Sequence, residues 1–248
     1  MIPLSIVHKK GIPLDGSNSC ILEGYGAYGS TLDPIFRPTW LAFLERGGVI
    51  AIAHVRGGGE YGEDWHLAGK EKTKPNTWKD FIACAEYLIK EKYTSAEHLA
   101  GQGGSAGGIL IGNSIVDRPD LFGAAIDQVG DNNALRFEIT SNGVPNIPEF
   151  GSVKTEEGFK ALLAMDAYNK VKDGVKYPAV LLTTGINDPR VEPWMSAKMA
   201  ARLQAATNSG KPVLLRVDYD AGHGFGSTKR QQNEQRADMY AFLFQQLR

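Results

Sequence analysis

The stretch from His98 to Val116, HLAGQGGSAGGILIGNSIV, decides how the rest of the chain is read. It opens as a strand over 98–101 and closes as a helix over 106–117, and between them Gly103, Gly104, Ser105, Ala106 and Gly107 fit the pattern G-x-S-x-G. A sharp strand-to-helix turn forces its central residue into a strained backbone, so the flanking residues must be small, and all four are Gly or Ala. Such a turn lifts a serine hydroxyl clear of a sheet. It also aims the Ala106 N–H, at the helix start, toward negative charge developing beside the serine. A rival reading exists, because Gly101, Gly103 and Ala106 also fit the G-x-G-x-x-A of a dinucleotide-binding turn, which predicts a nicotinamide cofactor. The turn alone does not choose between the two.

Its surroundings do. Short β-rich apolar runs fall near 2–8, 19–24, 48–54, 98–101, 123–128, 178–184 and 212–218, alternating with longer amphipathic segments. That alternation predicts an α/β fold with a mostly parallel central sheet and helices on both faces. GGVIAIAH and YPAVLLTT are apolar at successive positions, as central strands buried between helix layers must be. The clearest helix carries Trp78, Phe81, Ile82, Ala85, Leu88 and Ile89 at helical spacing, with Asn76 or Thr77 as its expected cap. Further helices are expected near 156–168, 193–207 and 230–247, with an irregular, site-shaping excursion from Asp131 to Gly151. A dinucleotide turn belongs after the first strand of its sheet, whereas this one follows several.

A serine nucleophile needs an acid and then a histidine after later strands. Both occur. GINDPRVEP follows the strand YPAVLLTT and places Asp188 at its C-terminal end; DAGHGFG follows PVLLRVDY and places His223 in a glycine-flanked loop. These residues are far apart in sequence, and parallel strands bring them together because their C-terminal ends share one sheet edge. Asp218 and Asp220 are weaker rivals for the acid, and a strand-terminal Asp is often only a turn former. His8, His54, His66 and His98 have no comparable setting and read as satisfied surface or core residues. No H-E-x-x-H or similar metal spacing occurs, and the chemistry implied needs no cofactor.

Composition narrows the classes further. The chain has 248 residues, 42% hydrophobic and 22% charged, with 27 Lys+Arg against 28 Asp+Glu for a net charge of −1. So balanced a charge gives no field to gather nucleic acid or an anionic membrane. The two cysteines, Cys20 and Cys84, sit in apolar segments and read as small buried hydrophobes. No run reaches the roughly 18 apolar residues of a membrane span, and MIPLSIVHKK lacks a signal-peptide core, so a cytoplasmic location is expected for the chain as written. Because the sequence opens directly into a strand pattern, it is equally compatible with being a piece of something longer.

Taken together, the motifs EGYGAYG, HVRGGGEYGEDWH, GGSAGG, RPDLFGAAIDQVG, GINDPRV and DAGHG resemble, in order and interval, the catalytic α/β-hydrolase domain of the prolyl oligopeptidase family of serine peptidases. The resemblance runs along essentially the whole chain. It implies a Ser105, Asp188 and His223 triad, an oxyanion hole from Tyr25 and the Ala106 N–H, and Arg190 as a ligand for a substrate carbonyl. Two departures stand out. Members that cleave after proline stack its ring on aromatics that include a tryptophan where this chain reads NGVPNIPEFG, so substrate contacts fall to Tyr28, Asn146 and Phe150 and prolyl selectivity is open. The family's β-propeller has no counterpart in residues 1–248, which read as a single catalytic domain. An uncovered site implies esterase activity at least as evident as peptidase activity, on small esters or short peptides, with a carboxylesterase as the runner-up. The bared surface implies self-association into a homo-oligomer. A non-catalytic binding domain of the same fold would predict a broken triad, and this one is intact in sequence.

Overall fold

The computed structural model describes residues 1–224 and 228–247, so the Phe225 and Gly226 end of the expected glycine-flanked loop lies outside the described residues. Seven strands form one sheet: β1 (Leu4–Val7), β2 (Cys20–Glu23), β3 (Val49–Ala53), β4 (Leu99–Gly104), β5 (Ala124–Gln128), β6 (Ala179–Gly185) and β7 (Val213–Asp218). Their spatial order is β1-β3-β2-β4-β5-β6-β7, with every neighbouring pair parallel except β1 against β3. The helices among the described residues are α1 (Leu41–Leu44), α2 (Glu63–Leu67), α3 (Pro75–Lys90), α4 (Gly107–Asp117), α5 (Ile147–Phe150), α6 (Glu156–Met165), α7 (Ala167–Lys170), α8 (Pro193–Ala206) and α9 (Lys229–Gln246). This is an α/β-hydrolase fold, and all seven strand runs read from the sequence are present.

Residue alternation explains why helices cover both faces. Along β2 and β3, Cys20, Leu22, Val49, Ala51 and Ala53 pack with Phe81, Leu88, Leu110 and Leu203 of α3, α4 and α8. The intervening Ile21, Ile50 and Ile52 point the other way, onto Phe43 of α1 and Met239, Phe242 and Leu243 of α9. Every residue of β3 and β6 is buried, as the unbroken apolar runs required. Each large side chain so buried contributes about 1.5–3 kcal/mol relative to exposure. Cys20 and Cys84 are free and buried, and burial pushes the Cys84 thiol up to about 12.

One local expectation needs correcting. Helix α3 starts at Pro75, whose locked φ and missing N–H suit the first turn, and no side chain caps it. Asn76 and Thr77, expected as caps, instead tie the helix to the preceding loop: Asn76 Nδ2 donates to Ala68 O at 2.8 Å and Thr77 Oγ1 to Arg56 O at 2.7 Å. The excursion from Asp131 to Gly151 is built from 3-10 turns at Ala134–Ile139 and Val144–Asn146 followed by the short α5.

Candidate active site

At the end of β4 the chain turns into α4 through Ser105, whose φ of +55° lies in the left-handed region that non-glycine residues rarely occupy. Three backbone bonds hold it there: Ser105 N donates to Gln128 O at 2.8 Å, and Ser105 O accepts from Gly108 N at 2.8 Å and Asp131 N at 3.0 Å. The small neighbours are obligatory, since a Cβ on Gly103 would stand 2.5 Å from Gly107 O and one on Gly108 2.4 Å from Gly130 Cα. The elbow is thus made by close backbone approach as well as by a strained φ.

The parallel strands then deliver their C-terminal loops to the same edge. From β6 comes Asp188, buried at 4% exposure; from β7 comes His223. His223 Nε2 lies 2.8 Å from Ser105 Oγ, and His223 Nδ1 lies 2.7 Å from Asp188 Oδ2. The other carboxylate oxygen, Asp188 Oδ1, accepts from the Arg190 and Val191 N–H groups at 2.8 and 2.9 Å. Asp188 is therefore oriented by its own loop. Asp218, the rival acid, is instead 3.5 Å from Arg216 in an ion pair.

Tyr25 follows β2 in the loop over which the Ser105 turn packs, and its phenol lies close enough to the Ser105 side chain to be influenced by it. Burial raises its ionisation above the ordinary tyrosine value, with the Arg190 charge and the nearby Ser105 hydroxyl acting the other way. It thus keeps its proton at neutral pH and remains a donor. The Ala106 N–H belongs to the orphan donors at the start of α4, directly after Ser105 in the chain. Arg190 is exposed and lines the cleft beside Ser105, Ala106, Tyr28, Phe137, Asn142 and Val191.

The remaining sequence candidates divide. Tyr28, 41% exposed, lines the cleft and donates its phenol proton to Asn146 Oδ1 at 2.6 Å. Asn146 is 8% exposed and also donates to Asn142 O, so its amide serves as a brace for Tyr28. Phe150 is 1% exposed and packs edge-on beneath Tyr28 at 5.6 Å; its ring supports the cleft wall and does not present a face to it.

Several residues escaped sequence reading. His66, taken as an ordinary satisfied histidine, places Nε2 2.8 Å from Glu149 Oε2, and Glu149 Oε1 accepts from Tyr28 N at 2.8 Å. Lys74 is fully buried, donates to Gly26 O and lies over the Phe150 ring, and burial lowers its ammonium to about 8 against the pull of Glu149 and Asp131. Asp131, 1% exposed, lines the cleft with no hydrogen-bond partner on either carboxylate oxygen. The only signal available in advance was the expectation that the Asp131–Gly151 excursion shapes a site. No cluster of His, Cys, Asp and Glu suited to a metal occurs among the described residues. Nor is any helix among them long and apolar enough to cross a membrane.

A serine on a strained elbow, an imidazole and a buried carboxylate meeting at one sheet edge place the molecule among the α/β-hydrolases. Comparison with known proteins narrows this further. Residues 34–248 match the prolyl oligopeptidase family. The prolyl endopeptidase of Elizabethkingia meningoseptica is 38% identical over 247 residues, covering 99% of this chain and 35% of that protein. The dual function macrocyclase-peptidase of Amanita bisporigera is 38% identical over 99% of this chain and 34% of its own length. A structure from a study of two prolyl endopeptidases superposes with a TM-score of 0.97 at 39% identity, covering 99% of this chain and 36% of that one. Oligopeptidase B from Leishmania major superposes at 0.94 with 34% identity, covering 99% of this chain and 34% of that one. The chain belongs to the prolyl oligopeptidase family. It spans about a third of the length of the relatives it matches.

Proposed function

We propose that this domain hydrolyses peptide bonds through an acyl-enzyme on Ser105. The observation that carries the reading is the continuous relay from Ser105 Oγ through His223 to Asp188, at 2.8 and 2.7 Å. Ser105 Oγ attacks the substrate carbonyl carbon while His223 Nε2 takes the hydroxyl proton. Asp188 stays ionised, holding the Nδ1–H tautomer and stabilising the imidazolium. Charge then gathers on the carbonyl oxygen, where the Tyr25 phenol and Ala106 N–H supply preorganised donors. Collapse breaks the C–N bond as His223 returns the proton to the leaving amine. Water, deprotonated by His223, attacks the ester, and the proton goes back to Ser105 Oγ as the acid leaves. Arg190, exposed at the cleft and two residues from the acid, supports binding of a substrate backbone carbonyl.

The relatives' names support a peptide substrate, and the Ser105–His223–Asp188 contacts support these steps. The test is release of 4-nitroaniline from blocked Ala-Ala and Gly-Pro 4-nitroanilides. Turnover is expected on at least one, falling about 10⁴-fold or more in Ser105→Ala and in His223→Ala. Undiminished turnover in Ser105→Ala would overturn the reading.

A further inference from the structure

The segment after Tyr25 has little shape of its own. Gly26, Tyr28 and Gly29 take φ of +75°, +58° and +62°, so three of the four residues after Tyr25 lie in the left-handed region, and Tyr28 does so without being glycine. A backbone of this kind persists only where its surroundings hold it. Before Tyr25, Gly24 N donates to Gln102 O at 3.1 Å and continues the pairing of β2 with β4. After it, two buried side chains reach in from other elements. Lys74, just ahead of α3, donates to Gly26 O, and Glu149 of α5 accepts from Tyr28 N at 2.8 Å.

Burying an ammonium is costly, and Lys74 is 0% exposed. The plain explanation is charge balance, since Glu149 and Asp131 both act on it electrostatically. The contacts say otherwise. Among the described residues no carboxylate forms an ion pair with Lys74: Glu149 gives its oxygens to Tyr28 N and to His66 Nε2, each at 2.8 Å, and the Asp131 oxygens have no hydrogen-bond partner. The Lys74 ammonium goes instead to the carbonyl of the residue after Tyr25, 5.5 Å from the centre of the Phe150 ring. What it fixes is backbone, next to the oxyanion tyrosine.

Resting on the peptidase reading above and its oxyanion role for Tyr25, we infer that Lys74 and Glu149 clamp the segment from Tyr25 to Gly29 and so position the Tyr25 phenol. Neither lines the cleft, so both are positioning residues that act through Tyr25. The ring they aim lies against the elbow, for a Cβ on Gly107 would stand 3.3 Å from Tyr25 Cδ2. An oxyanion donor works by standing in place before the charge develops, and a misplacement of about 1 Å costs about 100-fold in rate. A clamp on the backbone at both Gly26 and Tyr28 supplies that rigidity where the local φ values do not.

The experiment is a double-mutant cycle on kcat and KM for the faster of the two blocked 4-nitroanilides. Lys74→Met keeps the apolar stem and deletes the ammonium, so kcat is expected to fall about tenfold or more while KM stays within about threefold. In a Tyr25→Phe background the same substitution is expected to lower kcat by less than about threefold, because the donor it positions is already gone. A folded Lys74→Met with unchanged kcat, or equal losses in the two backgrounds, would overturn the inference and leave the peptidase reading intact. Turnover of neither anilide by the wild type would overturn the peptidase reading and this one with it. The unaltered chain guards against a variant that fails to fold: the Tyr28 amide, held by Glu149, is expected to exchange its hydrogen on the order of 100-fold more slowly than an exposed loop amide. Exchange at the rate of an exposed amide would overturn the clamp.

Discussion

Asp188 divides its two oxygens between two tasks: Oδ2 meets His223 Nδ1 at 2.7 Å, and Oδ1 accepts the Arg190 and Val191 N–H groups. Replacing it by Asn exchanges one acceptor for an NH₂ and removes the charge that supports the imidazolium. Asp188→Asn is expected to lower kcat by about 10³–10⁴-fold with little change in KM. A tenfold loss or less, in a folded variant, would mean that another acid orients His223.

The strained φ of Ser105 separates function from stability. Ala and Ser share the cost of a left-handed backbone, whereas Gly does not. Ser105→Gly is therefore expected to melt higher than Ser105→Ala by about 2–4 °C, the equivalent of about 1 kcal/mol in a domain this size, with both inactive. Equal melting temperatures would show that the elbow is not strained.

Tyr25 offers a narrower test of the oxyanion assignment. Its phenol keeps its proton, because burial raises its ionisation, and so can donate to a developing oxyanion. Tyr25→Phe keeps the ring and deletes the donor, so kcat is expected to fall about 10²–10³-fold while KM holds. A change confined to KM would instead make Tyr25 a ground-state binding residue.

Asp131 carries a pH signature. Its folded carboxyl lies near 8, above the ordinary value of about 3.9, so the stability it contributes is complete below about pH 4 and is lost as pH rises through about 8. The groups facing it are Asp127, Asp166, Lys74 and the Tyr28 phenol, and all four are present with or without the Asp131 carboxyl. Asp131→Asn has no such proton to lose. Its melting temperature relative to wild type is expected to climb between pH 5 and pH 9, measured by scanning calorimetry. A flat difference would contradict a buried, raised carboxyl.

The fold was legible because period and breakers agree: every strand run in the sequence is bounded by Gly, Pro or polar residues, and β3 and β6 show their burial as unbroken apolar runs. The serine, acid and histidine were legible because strand-end loops have few reasons to hold them. What escaped was set by tertiary contact. Nothing near Lys74 or His66 in sequence distinguishes them from solvated charges; only the packing of α2 and α3 against the Tyr25–Tyr28 loop buries them against Gly26 O and Glu149. Asp131 followed the same rule. It reads as a turn residue after β5, and its missing partners become visible only once every neighbouring donor has been assigned. Phe150 looked like a stacking surface because aromatics near a site invite that reading, and its 1% exposure reassigns it to support.

We propose Ser105 as the nucleophile of a relay through His223. This assignment is tested most directly by treating the chain with a fluorophosphonate and mapping the adduct by peptide mass spectrometry. One phosphonyl group on Ser105, absent in Ser105→Ala and strongly slowed in His223→Ala, is the predicted result. An adduct on another residue, or labelling of Ser105 at an unchanged rate without His223, would contradict it.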